Sequence, residues 1–243
     1  MPRSYDIRMV LLFAASLFGA HLLGQNSATQ GVLRAARVLQ SVLRPIPEQI
    51  LSDSVCVLVV PRVASGISEF DVPGVMSCRG QVTKSWSSPA GIRVWGTSLP
   101  SLLKDHDLVL LVMNRKSADS IISGKMFHSD LRVALGPISG KGNHGVSYNI
   151  SADILAYSRP ATHISTASLK SASVNEDLDA NQKIYGWRLE NHSILDGLVQ
   201  APRVALPFMR ALVPCWTDTS STSRAARIRQ GPCPIDPKID FPK

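Results

Sequence analysis

The segment Gly136–Gly142 has the residue types of a phosphate-binding loop, because glycines stand on both sides of a lysine. A P-loop needs four residues between its first two glycines and a Ser or Thr after the lysine, so that the loop can surround the phosphates. This segment is one residue short, and Gly142 follows Lys141. The sequence therefore predicts a turn between strands, with Lys141 at its tip available to a headgroup phosphate.

Metal-binding and catalytic patterns are incomplete. Asp177, Asp179 and Asn181 have the spacing of the first three ligands of a calcium loop, but Gln182 and Arg188 occupy the positions of the required glycine and glutamate. Acids in this arrangement are more typical of a helix N-terminus. No histidine lies in an H-E-x-x-H pattern and no serine lies in G-x-S-x-G. The sequence predicts a non-catalytic protein with no metal and no cofactor; a hydrolase with catalytic residues from distant positions is the alternative.

The overall charge favours acidic partners. The chain has 26 Lys and Arg against 18 Asp and Glu, a net charge of +8. Anionic lipid headgroups, nucleic acid and cell-wall polyanions all suit such a charge. Because the basic residues are scattered and no nucleic-acid-binding module is present, nucleic acid is not expected as a partner. With 243 residues, of which 44% are hydrophobic, the chain is expected to form one core.

The segment Gln30–Arg44 is predicted to be a helix with a basic stripe. Its apolar side chains spread over a wide arc, whereas Arg34, Arg37 and Arg44 fall within about a quarter turn. Prolines directly after Arg44 end the helix. Two interpretations stay open: the apolar arc lies in a membrane while the arginines meet headgroups, or the arc packs on a sheet and the arginines are solvated.

Residues 1–28 are predicted to be a secretory signal. Arg3 and Arg8 form a basic start, and the apolar run Met9–Leu23 is short for a membrane span. Cleavage between Ala20 and Ala28 would give an exported protein, periplasmic or secreted, peripheral to a membrane. An uncleaved N-terminal anchor is the alternative.

The four cysteines can form disulfides in an oxidising compartment. Cys215 and Cys233 bracket a polar segment and are predicted to be linked. Cys56 and Cys78 lie in apolar runs and are predicted to be buried thiols.

Between Ser54 and about Ala172 the sequence has short β-branched runs separated by turn residues, which is typical of strands. The seven predicted strands are Ser54–Val60, Gly74–Cys78, Gly91–Trp95, Leu108–Met113, Leu131–Leu135, Val146–Ser151 (with a possible continuation to Tyr157) and His163–Leu169. Helices are predicted near Ser117–Ser123, at Asp177–Tyr185 with Gly186 as C-cap, and at Pro207–Leu212. Without regular strand–helix alternation, we expect a single α+β domain with a curved antiparallel β-sheet or barrel-like core and flanking helices.

An ordered series of eight blocks carries a family resemblance. The blocks are Ile46–Leu51, Cys56–Pro61, Gly74–Arg79, Trp86–Ala90, Leu108–Asn114, Ala134–Pro137, Ala152–Arg159 and Asp179–Gly186. This succession resembles bacterial SYLF-domain proteins, exported relatives of a eukaryotic domain found in phosphoinositide-binding and actin-patch proteins. On this resemblance the domain covers residues 29–197, between the signal at 1–28 and a Pro-rich extension at 198–243.

The resemblance implies a non-catalytic, lipid-binding domain that contacts anionic, phosphoinositide-like membrane lipid through basic residues. The candidate lipid-binding residues are Arg34, Arg37, Arg44, Arg62, Arg79, Lys84 and Lys141. For an exported chain, actin is an unlikely partner, and an envelope protein is a possible one.

Three stretches depart from the family pattern, at 62–73, 95–105 and 160–164, where expected glycines are missing. Since glycine permits positive φ and close backbone approach, these loops should be remodelled. An envelope interaction protein that has lost lipid binding is therefore the alternative.

Overall fold

The computed structural model describes six α-helices, one short 3-10 helix (Arg203–Ala205) and nine strands in the following parts of the chain. The described residues are 27–44, 46–63, 69–81, 84–97, 105–123, 131–136, 151–160, 169, 172–216 and 229–232. The helices are α1 (27–43), α2 (Glu48–Asp53), α3 (Arg115–Ile122), α4 (Leu178–Tyr185), α5 (Asn191–Leu195) and α6 (Leu206–Leu212). The strands are β1 (Cys56–Val60), β2 (Glu69–Cys78), β3 (Ala90–Thr97), β4 (Asp107–Val112), β5 (Val133–Leu135), β6 (Ile154–Arg159), β7 (Ala172–Glu176), β8 (Pro214–Trp216) and β9 (Arg229–Pro232).

Seven of these strands form one sheet in the order β5-β6-β4-β1-β2-β3-β7, and β8 pairs with β9 separately. All neighbours in the large sheet are antiparallel except β5 and β6, which are parallel. The prediction of a single α+β domain is confirmed. The barrel-like alternative is wrong, because β5 and β7 end the described sheet without pairing with each other.

The central strand β1 is buried on both faces, which explains its unbroken apolar sequence. Because side chains alternate along a strand, Leu58 belongs to one hydrophobic cluster while Val57 and Val59 belong to a second. The neighbouring strand β4 divides in the same way, with Leu110 in the first cluster and Leu111 in the second. The sheet therefore lies between two hydrophobic layers.

Helix α1 covers one face of the sheet. Leu39 and Leu43 are fully buried in the cluster that contains Val57 and Val59, together with Phe208 of α6. The predicted helix at 30–44 is confirmed, and so is its end before the prolines. Two interpretations of this helix were open, and in the structure its apolar arc packs on the sheet.

The other face packs against α3 and α5. Ala118 and Ile121 of α3 and Ile194 and Leu195 of α5 are buried in the same cluster as Leu58. The helix predicted near Ser117–Ser123 is confirmed as α3. Helix α5 was not predicted, because five residues are too few to show helical periodicity.

Most predicted strands lie where the sequence places them. The strands predicted around residues 56, 91, 108 and 133 are confirmed as β1, β3, β4 and β5, and the one predicted from Gly74 begins earlier, at Glu69. The possible continuation to Tyr157 is confirmed as part of β6, whereas 146–150 lie outside the described residues. Of the strand predicted at His163–Leu169, only Leu169 is described, and it is helical. Strand β7 follows at Ala172, where no strand was predicted.

The core continues beyond residue 197. Helix α6 confirms the helix predicted at Pro207–Leu212, and Phe208, Ala211 and Leu212 are fully buried. Residues 1–26 lie outside the described part of the chain, so the signal at 1–28 stays a prediction. None of the helices within the described ranges combines the length and the hydropathy of a membrane span.

Candidate functional site

A basic surface pocket lies where α2 ends, β1 begins, β2 ends and α3 begins. Its volume is about 450 Å³. Residues 52–55 line one side of the pocket, residues 79–81 and Lys84 line a second side, and Arg115 lines the third side. We call it the basic pocket.

Strand pairing brings these segments together. The Val55 N–H donates to the Val112 carbonyl of β4 at 2.7 Å, and the Arg79 N–H donates to the Val55 carbonyl at 2.7 Å. Cys56 stands opposite Cys78 on β2 and opposite Val112 on β4. The ends of three adjacent strands therefore hold the backbone of the pocket.

A disulfide joins Cys56 and Cys78 directly beside the pocket. Their Cα atoms are 4.0 Å apart, and both side chains are fully buried. The prediction of burial is confirmed, but the prediction of free thiols is wrong. The register explains why: two cysteines that face each other across paired strands are close enough to bond, and sequence periodicity does not reveal the register. Cys233 lies outside the described residues, so the Cys215–Cys233 bridge stays a prediction.

Arg79 organises the pocket through its guanidinium. Nε donates to the Ser54 carbonyl at 3.2 Å, Nη2 to the Leu51 carbonyl at 3.2 Å, and Nη1 to the Lys84 carbonyl at 2.9 Å. The guanidinium also lies over the ring of Trp86, 4.3 Å from its centroid. Arg79 thus ties the C-terminal end of α2 to Lys84 and Trp86. Burial lowers the pKa of Arg79, and because an arginine pKa is normally above 12, the side chain remains charged at neutral pH.

Two backbone hydrogen bonds hold Lys84 and Ser85 next to Gly80. The Lys84 N–H donates to the Gly80 carbonyl at 3.1 Å, and the Gly80 N–H donates to the Ser85 carbonyl at 3.0 Å. Lys84 has a positive φ of 55°, a conformation that is rare for residues with a Cβ. Its side chain is exposed at the mouth of the pocket.

Arg115 is placed by the cap of α3. The Asn114 side chain accepts from the Ser117 N–H at 2.9 Å and donates to Asp153 at 2.9 Å. Burial acts to raise the pKa of Asp153, but hydrogen bonds from the Arg132 N–H and from Asn114 outweigh it and hold that pKa below its usual value. Asp153 therefore remains a carboxylate that anchors the start of α3. Arg115 is the first residue of α3, and its Nη2 donates to the Arg79 carbonyl at 2.9 Å.

The pocket carries more positive than negative charge. Arg79, Lys84 and Arg115 line it with a single carboxylate, Asp53. Within the described ranges none of the three cations forms an ion pair. An exposed concave surface with three cations not neutralised by carboxylates is suited to an anionic group.

The structure brings together two of the predicted binding residues, Arg79 and Lys84, and adds Arg115, which the sequence prediction missed. Arg62 lies past the opposite end of β1, roughly 17 Å away along a five-residue strand, and pairs with Asp105 at 3.2 Å. Lys141 lies outside the described residues.

The predicted stripe of Arg34, Arg37 and Arg44 is exposed on α1 and does not line the pocket. Its arginines are solvated, while the apolar arc of the same helix is buried against the sheet.

Asp177 and Asn181, which have the spacing of calcium ligands in the sequence, have structural roles in the fold. Asp177 caps α4 by accepting from the Ala180 N–H at 2.8 Å, as a helix N-terminus predicts. Asn181 is buried; its Oδ1 accepts from the Gly91 N–H at 2.7 Å, and its Nδ2 donates to Asn191 at 2.7 Å. No group of three or more His, Cys, Asp or Glu side chains is arranged for a metal ion in the part of the chain that the structure describes.

Comparisons with known proteins support the resemblance. Residues 103–215 match the family model described as Ysc84: Las17-binding protein actin regulator. Protein YSC84 of Saccharomyces cerevisiae (strain ATCC 204508 / S288c) is 25% identical over 198 residues, covering 74% of this chain and 42% of that relative. The chain thus spans less than half of the relative's length, and no solved structure matches it.

The family-model match includes Arg115 but begins after the other walls of the basic pocket. It also reaches β8, beyond the boundary at residue 197 that the sequence blocks indicated. The eight sequence blocks, the match over 103–215 and the similarity to YSC84 together make this chain similar to the Ysc84, or SYLF-domain, family.

Proposed function

We propose that this protein binds anionic lipid headgroups at a membrane surface, without catalysis, and that the basic pocket is the contact. The observation that carries the proposal is the convergence of Arg79, Lys84 and Arg115 on one pocket where they have no ion-pair partner in the described residues. The resemblance of the eight sequence blocks to lipid-binding SYLF domains supports a role at lipids, and the similarity to a family model described as an actin regulator supports a role near actin. We further propose that the chain is exported, so that it is periplasmic or secreted, and that it acts at the periphery of a membrane.

The three cations contribute differently. Each guanidinium nitrogen of Arg79 already donates to a backbone carbonyl, so Arg79 mainly shapes the pocket. Arg115 uses Nη2 for the Arg79 carbonyl, and the ammonium group of Lys84 makes no hydrogen bond to the described residues. Lys84 and Arg115 therefore have most of the donors that a headgroup would use.

The exposed arginines of α1 support binding at longer range. Arg34, Arg37 and Arg44 add positive charge that attracts an anionic surface within a Debye length of about 8 Å at physiological salt. Since their helix is anchored by its apolar arc, we propose that they act as fixed surface charges and that α1 does not insert.

Flotation with vesicles of graded anionic content tests the proposal. Lys84→Gln together with Arg115→Gln should weaken binding by about tenfold or more, because each basic residue near an anionic surface contributes about 1 kcal/mol. Lys84→Gln alone should give part of that loss, and it removes no side-chain hydrogen bond of the described residues.

The matched control is Arg203→Gln with Arg210→Gln, which removes the same charge from exposed positions outside the pocket. It should bind almost as well as the parent chain. Equal losses in the two double variants would show diffuse attraction without a pocket, and a parent chain that does not float with any anionic vesicle would refute lipid binding.

A second candidate function is binding to a protein of the actin patch. The description of the family model names an actin regulator that binds Las17, and this favours such a partner against the sequence-based expectation that actin is unlikely. Co-sedimentation with actin filaments at physiological salt, with vesicles absent, distinguishes the two candidates. If the chain is instead an envelope interaction protein that has lost lipid binding, it should neither float with vesicles nor co-sediment with actin filaments.

A further inference from the structure

Asp53 is the single carboxylate that lines the basic pocket, and it has no cationic partner among the residues that the structure describes. Its Oδ2 accepts from Gln49 Nε2 at 3.4 Å and its Oδ1 from Ser52 Oγ at 3.5 Å, both at the outer limit of hydrogen bonding. Three cations line the same pocket, yet Asp53 makes no ion pair with any residue in the described stretches. The pocket therefore presents positive and negative groups that are kept apart.

This separation is built into the fold. Arg79 is fixed by the Leu51, Ser54 and Lys84 carbonyls, and Arg115 is fixed by the Arg79 carbonyl. Asp53 is the last residue of α2, a helix whose Ile50 and Leu51 are buried in the core. The guanidinium groups of Arg79 and Arg115 therefore cannot move onto Asp53 without breaking these contacts.

A ligand with only negative charge fits such a pocket imperfectly. Its phosphate would gain from Lys84 and Arg115, but the Asp53 carboxylate would repel it. A ligand that carries both a phosphate and an ammonium group would satisfy both parts, since the ammonium group can donate to Asp53 while the phosphate accepts from the cations. A pocket of about 450 Å³ is within the size range of sites that hold a whole small molecule.

We propose that the basic pocket recognises a phosphate ester that also bears a primary ammonium group, with Asp53 as the residue that selects the ammonium. This inference rests on the proposed function and specifies its ligand class. The same chemistry occurs in the headgroups of aminophospholipids and in soluble esters such as phosphoethanolamine.

The test compares vesicles that have equal net charge and whose anionic lipids differ in that only one carries an amine; the serine headgroup also carries a carboxylate, which keeps its net charge equal to that of the glycerol headgroup. Phosphatidylserine and phosphatidylglycerol each contribute one negative charge, so the same fraction of either in phosphatidylcholine gives similar surface potentials. The parent chain should prefer the phosphatidylserine vesicles by about threefold, which is within the range of an exposed ion pair. Asp53→Asn should bring the two affinities together and leave binding to phosphatidylglycerol unchanged or stronger.

Asp196→Asn is the matched control, because Asp196 is an exposed carboxylate outside the pocket. This variant should keep the preference. Thermal melting of both variants confirms that the fold is intact.

Soluble esters identify the source of the ligand. Phosphoethanolamine should displace the chain from phosphatidylserine vesicles at concentrations at which glycerol phosphate does not, in support of a headgroup site. If phosphoethanolamine binds directly while the vesicle preference is absent, the ligand class stands and its source is a free ester. Equal binding to the two vesicle types together with no binding of phosphoethanolamine would overturn the inference and leave the proposed function standing. Absence of binding to both vesicle types would instead overturn the proposed function.

Discussion

Gly91 is a residue where the sheet and the C-terminal helices approach each other closely. A Cβ built on Gly91 would lie 2.7 Å from Ala180 Cβ and 3.2 Å from Asn181 Oδ1. The backbone of Gly91 also donates to Asn181 and accepts from Asn191 Nδ2 at 3.1 Å. Glycine is required at this position because the peptide group itself is the contact surface.

Gly91→Ala should therefore destabilise the protein by about 1–3 kcal/mol, the usual cost of forcing an extra methyl group into a packed site. The control is Gly31→Ala, since Gly31 lies in α1 and an added Cβ there meets nothing within 4 Å. That change should leave stability equal or improve it by up to about 1 kcal/mol, because alanine is the better helix former. Urea unfolding of both variants measures the difference. A Gly91→Ala protein as stable as the parent would show that β3 and α4 can separate without cost.

Helix α1 contains both a core face and a charged face, and each can be changed independently. Leu39 is fully buried in the layer that covers the sheet, whereas Arg34, Arg37 and Arg44 are exposed. Leu39→Asp places a carboxylate in that layer and should unfold the protein, since an unpaired buried charge costs several kcal/mol. Circular dichroism at increasing temperature detects the loss.

Replacing Arg34, Arg37 and Arg44 together with Gln should leave the melting temperature nearly unchanged. It should weaken vesicle binding in a salt-dependent way but keep the preference for phosphatidylserine, since these arginines do not line the basic pocket. A triple variant that loses the lipid preference would place the headgroup contact on α1.

The elements that could be predicted from sequence are those with strong periodicity. Helix α1 and the buried strands β1 and β4 have continuous patterns, so their positions were predicted to within a few residues. Short helices such as α2 and α5 have fewer than two helical turns, which is too few to show a repeating pattern. The first residues of β2 are obscured by Pro73 and Asp71, because proline and aspartate are unusual in strands.

The basic pocket could be predicted only in part, because it depends on register. Arg79 and Lys84 are recognisable as basic residues after a strand. Asp53 lies near them because Cys56 of β1 faces Cys78 of β2. Arg115 joins them because β1 also pairs with β4, so that Cys56 faces Val112. That pairing is made by two strands about 50 residues apart, and nothing local in the sequence specifies it.

At the scale of the whole molecule, one covalent bond fastens the central strand to its neighbour. The Cys56–Cys78 disulfide spans a sequence separation of 22 residues. Replacing both cysteines with alanine should cost about 2–4 kcal/mol of stability, mainly because the unfolded chain is no longer constrained. Vesicle binding should also weaken, because the residues directly next to the bond, Val55 and Arg79, line the basic pocket.

Peptide mapping without reduction should recover Cys56 linked to Cys78. The control variant Cys215→Ala with Cys233→Ala tests the predicted second bridge independently. Four free thiols in the folded protein, or Cys56 linked to another cysteine, would contradict the disulfide.

Because this disulfide is buried, its oxidation state can be used to determine the compartment in which the protein folded. Both sulfur-bearing residues are fully buried, so external reagents reach them only when β1 and β2 separate. The oxidation state is therefore fixed when the chain folds and persists after the protein moves or the cell is opened. Alkylation under denaturing conditions at the moment of lysis, followed by mass measurement of the peptide with Cys56, would report the compartment in which each molecule matured, without any localisation tag.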